Sequence, residues 1–106
     1  MTDAIEITTF RLAGCSFDDF IKANAEVDAW LKRQPGFQSR HILEQDDGTV
    51  AEVLFWDTVD NVTDAASGLM AELGHSAVHA MIDQSTVSWN VSPVRHAVTN
   101  ERHDKA

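Results

Sequence analysis

The chain has 106 residues and a formal charge of -9, with a pI near 4.7, so nucleic acid and anionic membrane surfaces are excluded as partners by simple repulsion. At 43% hydrophobic and 24% charged it is composed like a folded globular domain, but one short enough to gain from burial against a second subunit. The N-terminus "MTDAIEITTF" carries neither a basic nor an apolar targeting region, and no run approaches the roughly 18 apolar residues of a membrane span, which makes the cytoplasm the expected location.

In chain order, "AIEITTFRL" (4 to 12) alternates β-formers with polar residues and predicts a first strand. Cys15 follows in a turn; being the single cysteine, it excludes an internal disulfide and a cysteine-based zinc site. It reads as a small loop residue, with a thiolate near a helix start as the alternative.

Ser16, with Asp19 three residues on, predicts an N-cap for a helix over 17 to 33, and Pro35 and Gly36 predict its end. On that helix, at about 100° per residue, Phe17, Phe20, Ile21, Val27 and Leu31 share one face. Asn24, near 340°, and Asp28, near 20°, fall inside it, whereas Trp30, near 220°, falls outside and reads as cover for a loop or a subunit contact. Buried polar groups need partners, so either Asn24 and Asp28 line a ligand pocket, or Asn24 caps a backbone irregularity while Asp28 reaches solvent or pairs with Lys32.

Two alternating runs, 37 to 45 and 49 to 56, flank "DDG" and predict a β-hairpin. Asp57 or Thr58 can cap a second helix with Val59, Val62, Ala66, Leu69, Met70 and Leu73 on one face, which Gly74 breaks or bends. A short helical segment (75 to 83) precedes a last strand over 85 to 92, ended by Pro93; the polar tail beyond 96 is expected to fray.

The order β-α-β-β-α-β predicts an α+β, ferredoxin-like domain over 1–96, with a four-stranded antiparallel sheet, both helices on one face, and a polar tail over 97–106. Because Ile7 and Phe10, or Leu54 and Phe55, lie at opposite parities, the sheet's second face is also apolar and predicts a homodimer.

With "PGF" after the first helix, "FWDTVDNV" at the end of the hairpin and the closing "STVSWNVSPVRH", the chain resembles the dimeric α/β-barrel superfamily, in its antibiotic-biosynthesis-monooxygenase-like branch. The resemblance implies two sheets set back to back and a small-molecule cavity between each sheet and its helices. It also implies either oxygenation of aromatic or quinol-type substrates without a cofactor, or oxidative haem degradation. For the haem-degrading branch it implies an Asn on strand one, a Trp ending strand three and a His from the second helical region. Trp56 matches the Trp and His75 or His79 approximately matches the His, but residues 4 to 12 contain no Asn.

His75 and His79, four apart on the last helical segment, border its apolar face. Without H-E-x-x-H, and with too few ligands for one short helix, no metal is expected there, and one of them reads as general base or as a hydrogen-bond donor to a ligand. For oxygenase chemistry the candidates are His75 or His79 as base and Asn24 as donor. Trp56 and Trp89 are candidate aromatic walls, with Asp28 and His41 as further substrate contacts. The alternatives are a non-catalytic dimeric binding or stress-response module, and haem binding.

Overall fold

A computed structural model describes residues 3–100. Its elements are β1 (Ala4–Leu12), α1 (Phe17–Ala23), α2 (Ala25–Leu31), β2 (Phe37–Glu44), β3 (Val50–Trp56), α3 (Val59–Leu73), α4 (Ala77–Ala80) and β4 (Ile82–Pro93). The strands form one sheet in the order β2-β3-β1-β4, every neighbouring pair antiparallel. This is the expected ferredoxin-like α+β arrangement, with the helices on one face. Val94 N–H donates to Asp3 O at 2.7 Å; the last six residues of the expected polar tail lie outside the described residues.

The predicted caps form: Ser16 Oγ accepts from Asp19 N and Thr58 Oγ1 from Asn61 N, each satisfying a helix N–H that lacks an internal partner. In the hairpin turn, Gly48 at φ 86° supplies the left-handed backbone that a side chain would resist. The last strand begins at Ile82, earlier than expected, and its pairing with β1 shifts register between Thr9 and Arg11.

The first helix differs from the single run over 17 to 33. It breaks at Asn24 (φ -78°, ψ -2°) into α1 and α2. There the Asn24 side-chain Nδ2 donates to Phe20 O at 2.8 Å, alongside the backbone N–H of Asn24 at 3.2 Å. A side-chain amide competing for an i−4 carbonyl bends the ladder. Angles counted on one continuous helix therefore fail beyond residue 24. Trp30, expected outside the buried stripe, is 4% exposed in the core; ahead of the break, Ile21 is exposed beside Phe20, the residue of α1 that is buried. In place of a loop, Trp30 meets Gly68 of α3, whose missing Cβ would stand 3.2 Å from Trp30 Cζ2.

Antiparallel partners share a face of the sheet. Ala4, Phe10, Val50, Leu54 and Trp56 face the helices and are buried, with Phe20, Val27, Leu31 and Val62 packed over them. The other face presents Ile5, Ile7, Val53, Phe55 and Leu43, none of which is fully buried. Ile7 and Leu43 remain 43% and 49% exposed. No described helix is long and apolar enough to cross a membrane.

Candidate functional site

Between the helix-bearing face of the sheet and the helices lies a cavity of about 370 Å³, within the roughly 300–1,000 Å³ typical of small-molecule sites. Its walls are mostly apolar and aromatic, from Phe10, Trp30, Leu54 and Trp56 to Leu69, Met70 and Trp89. Trp56 is fully buried at the end of β3, whereas Trp89, on β4, is 48% exposed and stands at the opening. The sheet brings both indoles to one side chain on the strand between them. Trp56 Nε1 donates to Glu6 Oε1 at 3.0 Å and Trp89 Nε1 donates to Glu6 Oε2 at 2.7 Å. Register explains the convergence, since Glu6 pairs with Leu54 on one side and Val91 on the other, each two residues from a tryptophan.

A second polar cluster closes the β2 side. Arg40, with a side chain only 7% exposed, donates from Nη1 to Asp28 Oδ1 at 2.7 Å. From Nη2 it donates to Asn24 Oδ1 at 2.8 Å and to Glu52 Oε1 at 2.9 Å. A buried guanidinium is tolerated only with such partners. The cluster ties the break between α1 and α2 to the centre of β2 and β3.

Of the residues singled out from the sequence, His79, Trp56 and Trp89 line the cavity; His75, Asn24, Asp28 and His41 do not. Asn24 is bonded to Arg40 and to a backbone carbonyl, and Asp28 pairs with Arg40 and not with Lys32. His75 sits exposed between α3 and α4: α3 ends at Leu73 and the backbone is extended at Ser76 before α4 begins, so the four-residue spacing no longer places both histidines on one face. His41 lies on the opposite face of the sheet, edge-on to Phe55 with ring centroids 5.8 Å apart. Among the described residues no three His, Cys, Asp or Glu side chains gather as a metal site.

Three charged residues in the lining, Glu6, Arg40 and Glu52, were not foreseen. Glu52 occupies an inward strand position between apolar neighbours of the same parity, Val50 and Leu54, while Glu6 and Arg40 each have one such neighbour, Ala4 and Ile42. That parity was the available signal. In β1 it is masked by Ile5 and Ile7, which make the wrong face look like the core.

No family model and no curated protein sequence matches the chain, but solved structures share its fold. It is similar to SnoaB, a cofactor-independent oxygenase from Streptomyces nogalater, at 19% identity and TM-score 0.74, over 94% of this chain and 100% of that one. A monooxygenase from the gene ActVA-Orf6 of Streptomyces coelicolor, in complex with nanaomycin D, is 21% identical at TM-score 0.71, over 94% of each chain. The heme-degrader MhuD of Mycobacterium tuberculosis, with two hemes bound, is 18% identical at TM-score 0.71, over 91% of this chain and 99% of that one. The fold is that of the antibiotic-biosynthesis-monooxygenase-like proteins, and that fold hosts more than one chemistry.

Proposed function

We propose that the chain is an oxygenase-like protein that takes a flat, electron-rich aromatic into the cavity, and that two copies pair through their outer sheet faces. The observation that carries the reading is the indole-walled cavity with an imidazole in its lining: His79 is half-buried there and is the candidate base. The likeness to a cofactor-independent oxygenase and to a monooxygenase holding nanaomycin D supports it. Pairing follows from Ile7, Leu43, Val53 and Phe55, which expose apolar area on a face that carries no helix.

The chemistry needs a base, donors for an anion and a dry pocket. His79 takes a proton from an activated C–H, and the resulting carbanion passes one electron to O2. The two radicals combine to a hydroperoxide, which loses water to leave a carbonyl, so that a CH2 group and O2 become C=O and H2O. Asn24 stands outside the lining with its amide committed to Phe20 O, so a donor comes from the cavity itself. Ser76, in the lining and making no capping bond with its hydroxyl, serves.

The test is oxygen uptake and quinone absorbance with a panel of naphthols and related phenols whose keto tautomers present an activated CH2 group. Turnover that falls about hundredfold in His79→Gln, the scale of a lost general base, supports the reading; binding without turnover gives the non-catalytic binding module, and no binding overturns both.

A further inference from the structure

The cavity contains a carboxylate that oxygenation leaves unused. Each oxygen of Glu6 accepts one indole N–H, from Trp56 at 3.0 Å and from Trp89 at 2.7 Å. An ionised carboxylate only accepts, and offers about four lone-pair sites, so each oxygen keeps one unfilled. The two tryptophans thus hold Glu6 in place without satisfying it, and Glu6 lines the cavity.

The charge nearby has the same sign. Glu52 also lines the cavity, where Arg40 is the one lysine or arginine among the described lining residues. That guanidinium is paired with both Glu52 and Asp28; its Nε is buried without a partner, but the single positive charge is already outnumbered by those two carboxylates, so Glu6 adds a further uncompensated negative charge.

We infer that the cavity selects a flat aromatic carrying a hydrogen-bond donor, most strongly a protonated amine, and turns away aromatic carboxylates; this rests on the small-molecule reading above. A ligand seated over Glu6 strips its water. Unless it returns a donor, the carboxylate is left with unmet acceptor capacity in an apolar pocket. An ammonium or amidinium N–H meets that need with a charge-assisted bond, while a ligand carboxylate adds repulsion that a low-dielectric pocket magnifies. Haem, with two carboxylates, falls on the excluded side.

The experiment compares two probes on one three-ring frame, 9-aminoacridine as cation and anthracene-9-carboxylate as anion. Binding is read by tryptophan quenching at physiological salt, where general attraction to an acidic surface is screened. Expected is a Kd at least about tenfold lower for the cation, with that preference reduced about tenfold in Glu6→Gln, the scale of one charge-assisted hydrogen bond. Trp89→Phe, which keeps the carboxylate and frees one oxygen, retains the preference. Equal or tighter binding of the anion by the wild-type chain overturns the inference while leaving the cavity reading intact, and does so even if Glu6→Gln fails to fold. An unchanged preference in folded Glu6→Gln overturns it as well. If neither probe binds, the cavity reading falls and the inference with it.

Discussion

Asn24 Oδ1 accepts from Arg40 Nη2 at 2.8 Å, and this bond joins the break in the first helical region to the sheet. The same amide's Nδ2 holds Phe20 O, so both ends of a 1%-exposed side chain are engaged. Asn24→Ala is expected to cost about 1–3 kcal/mol, the penalty for unmaking buried polar bonds, and to lower Tm by roughly 5–20 °C in a domain of this size. Arg40→Met costs more, about 3–5 kcal/mol, because Glu52, with a side chain 12% exposed, loses its buried counter-ion. Arg40→Met combined with Glu52→Leu recovers part of that loss, and a double-mutant cycle by urea unfolding measures the coupling.

Gly36 and Asp57 show why "PGF" and "WDTVDN" occur together. Asp57 N–H donates to Gly36 O at 2.9 Å, and Asn61 Nδ2 donates to Asp57 Oδ1 at 2.8 Å. A Cβ on Gly36 would overlap the side chains of Asp57 and Asn61, and the residue sits at φ 80°. Gly36→Ala should therefore destabilise by about 2–4 kcal/mol, combining left-handed strain with overpacking. Gly14, also left-handed but with open space around it, should lose only about 1 kcal/mol on the same change. Thermal melts of the two variants separate the terms.

Much of the fold was legible because local signals agreed with one another. The hairpin, both N-caps and the β1 boundaries need only alternation, turn glycines and capping side chains. At Asn24 the sequence left two readings open, and one of them was a backbone irregularity capped by the amide, as its bond to Phe20 O now shows. What no helical wheel contains is the contact of its other end with Arg40, sixteen residues away. The same gap hid the site: Glu6 became a candidate only once the sheet order β3-β1-β4 set it between Trp56 and Trp89. Those two tryptophans and His79 were recognisable by residue type, but the carboxylate they surround was not.

The hairpin turn supplies a pH prediction. Asp47 Oδ1 accepts the Thr49 backbone N–H at 2.9 Å, and bonds from Thr49, with a smaller contribution from the Arg11 charge, hold this carboxyl below its ordinary range. With the folded value depressed, the stabilisation is complete above the ordinary carboxylate range and is lost as pH falls through the lowered value. A carboxyl-carbon NMR titration should place the Asp47 midpoint below the ordinary value, and Thr49→Pro, which removes the N–H, should move it back up.

Ile7 pairs with Val53 on β3, which in turn pairs with His41 on β2, so these side chains share the face proposed to join two copies. Ile7 is already 43% exposed, and a lysine there leaves the helix-side core untouched. Ile7→Lys should keep the far-UV spectrum and melt of a folded domain while weakening self-association at least about hundredfold, because an unpaired charge would be buried in an apolar contact. Light scattering with size-exclusion chromatography reads the mass. A wild-type chain that is monomeric at micromolar concentration removes the pairing proposal without touching the cavity.

Gly68 and Trp30 give a substitution that separates stability from binding. Replacing Gly68 within α3 by Ala gains helix propensity of about 1 kcal/mol. The new Cβ would stand 3.2 Å from Trp30 Cζ2, so the indole must yield by a few tenths of an ångström, and overpacking costs about as much as the helix gains. Trp30 also lines the cavity, and the void on that side is where the ring can move. Gly68→Ala should therefore leave Tm within a few degrees of wild type while weakening 9-aminoacridine binding several-fold. Gly68→Val asks for more room and adds a β-branched residue to the helix, and should lower both. Unchanged binding in Gly68→Ala, alongside an unchanged melt, would show that the ligand does not reach the Trp30 wall.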